Sequence, residues 1–297
     1  MNFKDNFLCF LAMIFWSVGF PAGEILLETW GTLSLVFIRT FLGVALLLCI
    51  WIIFDGYKEV LSSKWYKGIF IGGIGFGFGA TFLLYGQKIS DPVTPAIAVA
   101  MTPVSGMLVE IIFDKRKMNF QIILGILIVL FGGLLASGII FFPKSLNFGF
   151  FYCYLATLFF GWGTQATSKS LPKMSTIGRT TITLIGSVLC MGVLCLGSLF
   201  FDKELITIGN YDKYSLFLLF LFSVFSLAIA QSLWIWGSKK LGVMFASLHM
   251  NAVPFYVMVI MYILFHNSWD SIQAYGALIV AFGVFFSQTK FFESKSI

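Results

Sequence analysis

Long apolar runs alternate with short polar connectors along all 297 residues of the chain. About 20 consecutive apolar residues cross the hydrocarbon core of a bilayer, where a helix satisfies its own backbone without water. The pattern therefore predicts an all-α integral membrane protein. Its ten transmembrane helices are expected over 7–27, 32–54, 67–87, 93–113, 120–140, 148–168, 179–200, 215–237, 243–265 and 271–289.

The second half of the sequence repeats the first. The segment 125-GILIVLFGG-133 returns as 276-GALIVAFGV-284, where six of the nine residues are identical. Each half carries five apolar runs, an odd number, so the second copy must enter the membrane in the opposite sense. We therefore expect a 5+5 inverted repeat, with one unit over residues 1–143 and the other over 144–297. Substrate sites of secondary transporters lie between such repeats.

The basic residues predict the orientation, because cytoplasmic loops of membrane proteins carry an excess of lysine and arginine. With the N-terminus inside, fourteen basic residues fall in cytoplasmic segments. Only four fall outside, namely Lys88, Lys144, Lys203 and Lys213. Both termini are therefore expected in the cytoplasm. The net charge of +6 reflects this topology. The basic residues form no single patch, so a nucleic-acid partner is not expected.

The amino-acid composition is that of a membrane protein, and the cysteine pattern bears on disulfide and metal chemistry. Hydrophobic residues make up 59% of the chain and charged residues 11%, against about 25% charged in a soluble domain. The mean hydropathy is +0.95. All five cysteines lie within apolar runs and have no metal-ligand spacing, so neither a disulfide framework nor a metal site is predicted. No cofactor is expected.

Polar and aromatic side chains near the middle of the runs are the candidate substrate contacts. Buried amides avoid lipid, and tryptophan faces can hold a substrate ammonium group. Each candidate shares a helix face with a neighbour three or four positions away, and Thr102, which shares its face with Ala98, is the one polar candidate in the fourth run. The predicted binding residues are Trp16, Phe20, Phe78, Thr102, Trp162, Gln165, Gln231, Trp234 and Asn251.

Ionisable residues and prolines within the runs suggest further roles. Arg39 could contact substrate or pair with Glu24 near the end of the first run, and the sequence favours the pair. No acidic residue lies at mid-bilayer, which argues against proton coupling through a carboxylate. Pro103 and Pro254 stand at the repeat offset and each removes a backbone donor, so both are predicted to kink their helices as hinges.

Taken together, these features resemble the drug/metabolite transporter superfamily, specifically its EamA-type members. The resemblance rests on the 5+5 repeat, a tryptophan in the first helix, Arg39 in the second, a proline in the fourth and ninth, and G-x-L-I-V-x-F-G in the fifth and tenth. It implies alternating access around a central cavity lined mainly by helices 1, 3, 4, 6, 8 and 9, with helices 5 and 10 peripheral. The fold alone does not select the cargo.

The predicted function is a secondary active transporter or permease of the cytoplasmic membrane for a small neutral or zwitterionic metabolite, such as an amino acid. The alternative is an uptake carrier for a nucleoside-like or S-adenosylmethionine-like metabolite. The chain lacks the catalytic groups that an intramembrane enzyme would need, since it has two histidines and no HExxH motif. A channel would show a polar filter or a charge ring. The expected partners are the small-molecule substrate and the lipid bilayer, with monomer and homodimer both open.

Overall fold

The structure, a computed structural model, describes residues 3–115, 120–136, 148–241, 248–266 and 268–288, and these residues form helices without any strand. The main helices are α1 (Phe3–Leu27), α2 (Thr32–Asp55), α3 (Trp65–Ile71, Gly72–Phe78 and Gly79–Lys88), α4 (Val93–Ala100 and Thr102–Asp114), α5 (Phe120–Ala136), α6 (Phe148–Ser170), α7 (Thr176–Phe201), α8 (Lys213–Phe220, Leu221–Ile229 and Ala230–Leu241), α9 (Val253–Phe265) and α10 (Ser271–Gln288). Short helical turns at Tyr57–Ser62, Lys203–Ile206 and Leu248–Ala252 connect them.

Several of these helices are long and apolar enough to cross a membrane. Five meet both conditions within the described residues: α1, α2, α3, α7 and the Lys213–Gly237 part of α8. The two halves of α4 meet them together and would make a sixth span. The apolar stretches of α5, α9 and α10 are shorter in the described part of the chain. These helices indicate a multi-pass membrane protein, whereas ten spans remain a prediction.

The helices of the two halves pack in matching pairs. In one set of contacts α1 packs against α8 and α9, and in the other α6 packs against α3 and α4. Likewise α2 contacts α8, and α7 contacts α3. Three further pairs, α2 with α7, α4 with α9 and α5 with α10, map onto themselves when the halves are exchanged. Exchanging the halves therefore maps each of these helix contacts onto another of them or onto itself.

Two equivalent glycines show the same correspondence at atomic scale. A Cβ atom added to Gly86 would lie 2.6 Å from Sγ of Cys153, and one added to Gly237 would lie 2.7 Å from Sγ of Cys9. The glycines are 151 residues apart and the cysteines 144. Glycine is needed at both places because the neighbouring helix approaches too closely for a side chain.

The repeated halves also share their irregular backbone. The middle segments of α3 and α8, Gly72–Phe78 and Leu221–Ile229, are both π-helical. Helices α4 and α9 both end at a left-handed residue, Lys115 with φ 52° and His266 with φ 53°. Such π-helical segments appear frequently at functional sites.

The two prolines stand beside breaks in their helices. The two segments of α4 meet at Met101 with a bend of 47°, and Pro103 is the second residue after it. Pro254 is likewise the second residue of α9, directly after a 3₁₀ turn. A proline in the first turn of a helix removes an N–H that has no intrahelical partner anyway. The prolines thus stand just after the breaks rather than inside continuous helices, and their role as hinges stays a prediction.

Aspartates cap three helices at ends that the basic residues assign to the outside. Carboxylate oxygens of Asp91, Asp212 and Asp270 accept hydrogen bonds from backbone N–H groups in the first turns of α4, α8 and α10, at 2.7–3.0 Å. Such caps satisfy donors that the helix itself leaves open. Hydrogen bonds from Ser215 lower the pKa of Asp212.

Helices α5 and α10 pack along each other through small residues. A Cβ atom on Gly132 would lie 2.9 Å from the carbonyl oxygen of Gly276, and one on Gly283 would lie 2.8 Å from a methyl group of Val129. Small residues let membrane helices approach closely. The opposite faces of this pair expose large apolar side chains, including Phe131 and Phe282. These faces suit contact with lipid chains.

Candidate functional site

A cleft opens between α1, α2 and α3 of the first half and α8 of the second. It encloses about 310 Å³ of space, part of which lies at its open mouth. Most of its wall is apolar or aromatic, and Arg39 and Gln87 are the polar side chains in it. The lining residues are Trp16, Gly19, Phe20, Arg39, Ala80, Leu83, Leu84, Gln87 and Phe222.

Arg39 reaches from α2 to α8. Its Nε donates a hydrogen bond to the carbonyl oxygen of Phe222 at 3.1 Å, and its Cζ lies 4.2 Å from the centre of the Phe222 ring. The ring face attracts the guanidinium through its quadrupole. Among the described residues, no carboxylate lies within ion-pair distance of Arg39. The Glu24–Arg39 pair that the sequence favoured is therefore not formed there.

Gln87 ties α3 to α1 beside the cleft. Its side chain is 2% exposed, and its Nε2 donates to the carbonyl oxygen of Phe20 at 2.7 Å and to Oε2 of Glu24 at 3.3 Å. Glu24 thus pairs with an amide and not with Arg39. The sequence prediction omitted Gln87, although the reasoning that selected the other amides, that they avoid lipid, applies to it equally.

Trp16 and Phe20 are the two predicted binding residues that line this cleft. They lie one turn apart on α1, where this helix contacts α8 at Trp16 and at Gly19. The Ser226 hydroxyl donates to the carbonyl oxygen of Trp16 at 3.3 Å, and a Cβ atom on Gly19 would overlap the Ser226 hydroxyl. The tight packing of α1 on α8 therefore holds both rings against the cleft.

Phe78 lies in a separate aromatic cluster between α3 and α6. Its ring centre is 5.9 Å from that of Phe159, and the Phe82 ring lies 5.6 Å from Phe159. Tyr85 and Tyr152 extend the cluster with an edge-to-face contact at 5.0 Å. Phe78 is not among the residues that line the cleft.

The predicted residues of the second half also lie away from the cleft. Trp162, Gln165, Gln231 and Trp234 are partly buried in α6 and α8. Trp234 packs against the largest buried apolar cluster. Gln231 and Trp234 follow the cleft residues Ala80 and Leu83 by the repeat offset of 151 residues. They therefore occupy the positions that correspond to one wall of the cleft.

Thr102 and Asn251 lie at the breaks before the second part of α4 and before α9. Both are partly buried, and neither lines the cleft. Oδ1 of Asn251 is buried and accepts no hydrogen bond from the described residues. Ser247, which is four residues before Asn251 and would share its face in a continuous helix, lies outside the described residues. A buried acceptor without a donor is costly, so Asn251 remains a candidate for contact with a ligand or water.

The described residues contain no group of three histidine, cysteine, aspartate or glutamate side chains that could hold a metal ion. A guanidinium, an amide and several aromatic faces can bind and orient a small molecule. They include no nucleophile with a neighbouring base.

An apolar helical bundle in two matching halves, with a cleft between them, is the architecture of a multi-pass membrane transporter. The model of the EamA-like transporter family matches this chain twice, over residues 4–138 and 147–289. The chain belongs to that family, which is part of the drug/metabolite transporter superfamily. The two matches confirm the resemblance seen in the sequence. Members of this family are transporters rather than enzymes.

Comparison with solved structures supports the same fold. One chain, described only as "Crystal structure of protein", superposes with a TM-score of 0.66 and 15% sequence identity. The match covers 97% of this chain and 98% of that one. At this identity the likeness concerns the fold alone. No curated protein matches the sequence.

Proposed function

We propose that the protein is a secondary transporter that moves a small neutral or zwitterionic metabolite, such as an amino acid, across the cytoplasmic membrane. The observation that carries the proposal is the cleft formed by three helices of one repeat and one of the other. Substrate sites of inverted-repeat transporters lie at this kind of boundary.

Alternating access would result if each half adopted the conformation that the other half has in this structure. The helix contacts map onto one another under that exchange, so a second arrangement can form with similar packing. Gln231 and Trp234 would then line an equivalent cleft on the other side, as Ala80 and Leu83 line this one. In this mechanism the protein has ten spans, an inverted second repeat and both termini in the cytoplasm.

Transport by purified protein in liposomes tests the proposal. Liposomes preloaded with a mixture of unlabelled amino acids should take up a labelled amino acid by counterflow, and empty liposomes should not. Parallel assays with a nucleoside and with S-adenosylmethionine test the alternative cargo. Saturable uptake of either compound, without any of amino acids, would replace the proposed substrate class. Absence of saturable uptake for every class would refute the transport function.

Matched variants connect transport to the cleft. Trp16→Ala removes a ring that lines the cleft and should reduce counterflow strongly. Trp236→Ala removes a ring that is 42% exposed on α8, outside the cleft, and should leave counterflow near the level of the unaltered protein. Equal loss in both variants would indicate a general effect of aromatic residues on the bundle rather than a substrate site.

A further inference from the structure

We infer that Arg39 and Gln87 form the site for the charged head group of a zwitterionic substrate. Arg39 binds its carboxylate and the side-chain oxygen of Gln87 accepts from its ammonium group. The inference rests on the proposed transport function and assigns the substrate's two charges to two residues. Neither role follows from the sequence, which favoured Glu24 as the partner of Arg39 and did not select Gln87.

The donors of Arg39 are only partly used by the protein. A guanidinium carries five N–H donors in a rigid fork, and the single hydrogen bond from Arg39 engages Nε. The two terminal nitrogens donate to none of the described residues and belong to a side chain that lines the cleft. A carboxylate fits two parallel donors of this fork, which is the geometry of strong charge-assisted recognition.

The charge balance of the cleft points to an anionic group as well. An arginine within a membrane is costly unless a counter-charge or polar groups surround it. Here a backbone carbonyl and the Phe222 ring face are its contacts among the described residues. The nearby carboxylate of Glu24 is instead held by the Gln87 amide. A substrate carboxylate would therefore supply the counter-charge that the protein does not.

Gln87 presents an acceptor to the same cleft. Both of its hydrogen bonds are made by Nε2 to oxygen acceptors, so the orientation of the amide is set by the network. Its Oε1 accepts nothing from the described residues, although the side chain borders the cleft. The cleft thus offers donors at Arg39 and an acceptor at Gln87, which complements a carboxylate and an ammonium group on one small molecule.

The rest of the cleft suits the remainder of such a substrate. Trp16, Phe20, Leu83, Leu84 and Phe222 supply apolar and aromatic surface. The lining therefore matches the chemistry of an amino acid with an apolar side chain, with polar groups for its head group and apolar surface for its side chain. Because Arg39 also holds Phe222 in the π-helical segment of α8, occupancy at Arg39 is linked directly to the second half of the protein.

Binding of three related probes to the purified full-length protein tests the inference. The probes are L-leucine, L-leucinamide, which lacks the carboxylate, and 4-methylpentanoic acid, which lacks the ammonium group. L-leucine should bind about ten- to a hundred-fold more tightly than either analogue, the range expected for loss of a charged hydrogen-bond partner. Calorimetric titration gives each affinity.

The variants separate the two roles. In Arg39→Gln the preference for L-leucine over L-leucinamide should disappear, and Arg39→Lys should restore only part of it. In Gln87→Leu the preference for L-leucine over 4-methylpentanoic acid should fall. Lys88→Gln removes an exposed charge next to Gln87 and should change neither preference. Because each preference compares two ligands on one variant, a general loss of stability does not imitate the result.

The outcomes distinguish this inference from the proposed function. Unchanged ligand preferences in Arg39→Gln and Gln87→Leu would overturn the head-group assignment while leaving amino-acid transport intact. Tight binding of an uncharged metabolite, with no binding of L-leucine or any other amino acid, would also overturn it without touching transport. Absence of counterflow for all substrates would refute the transport function itself.

Discussion

Arg39 and Gln87 give the cleft its polarity and also hold neighbouring helices together. Arg39 joins α2 to α8 through the carbonyl oxygen of Phe222, and Gln87 joins α3 to α1 through that of Phe20. Each bond joins two helices, and a buried polar group without a partner is costly. A change at either residue therefore affects stability as well as binding. Gln231, at the matching wall of the other half, forms no such cross-link with the residues that the structure describes.

Replacing Gln87 with Leu should lower stability, because Phe20 and Glu24 lose a donor that no neighbour replaces. The expected cost is about 1–3 kcal/mol. Gln231→Leu keeps the side-chain volume and should fold with nearly unchanged stability, while transport falls. Thermal unfolding of both variants in detergent, together with counterflow, checks this. Equal melting temperatures for the two would contradict the structural role of Gln87.

At the scale of elements, the close approach of α3 and α7 depends on small residues. A Cβ atom on Gly72 would overlap the carbonyl oxygen of Thr183, and one on Gly186 would overlap that of Ile69. The contacts lie where α3 becomes π-helical. The glycine-rich stretch of α3 is therefore a packing surface.

Gly72→Ala should destabilise the bundle, because the added methyl group meets backbone that cannot move alone. Overpacking of this kind costs about 1–3 kcal/mol. Gly197→Ala in α7 is the matched control, since nothing lies within 4 Å of its added Cβ atom. It should leave the melting temperature unchanged or raise it slightly, as alanine favours helix. A similar loss in both variants would argue against the close contact.

The breaks of α4 and α9 are the elements expected to move. Pro103→Ala and Pro254→Ala restore a backbone donor just after each break and should favour a straighter helix. Each variant should fold and bind substrate, yet turn over slowly. Because the breaks lie in opposite halves, accessibility to a water-soluble reagent should rise from one side in one variant and from the other side in the other. Unchanged transport and labelling in both would leave the prolines as packing features.

For the whole molecule, the matched packing of the halves is the main structural result. It extends from helix pairs to irregular segments and to individual glycines. Equivalent positions should therefore respond equivalently to mutation, although their sequences have diverged.

Gly86→Ala and Gly237→Ala should destabilise the protein to a similar extent. Both added methyl groups would press on a cysteine sulfur of the facing helix, at 2.6 Å and 2.7 Å. Thermal unfolding in detergent gives the two shifts. A large loss in one variant and none in the other would show that the halves pack differently in the membrane.

The orientation of the molecule can be tested at exposed loop positions. A cysteine at Asn210, between α7 and α8, should react in intact cells with a reagent that does not cross membranes. A cysteine at Lys173, between α6 and α7, should react only after the cells are opened. The unaltered protein, whose five cysteines lie in helices, gives the background. The reverse labelling pattern would invert the proposed topology.

The sequence alone determined much of this protein. Each apolar run must satisfy its own backbone in lipid, so helix formation is decided locally and can be read from hydropathy. The internal repeat likewise indicated the family and paired Pro103 with Pro254. Residue spacing alone indicates which side chains share a face of α1. It places Trp16 and Phe20 on one face, and both line the cleft.

Only the tertiary structure decided which helices meet and what their polar groups touch. Arg39 contacts Phe222, a residue 183 positions away, and this contact depends on how α2 packs against α8. The same is true of Gln87 against α1, and of Phe78, which packs in an aromatic cluster with α6. Hydropathy and spacing describe a helix by itself. They do not specify the partner helix, and the partner determines whether a polar side chain is cross-linked, unpaired or open to a ligand.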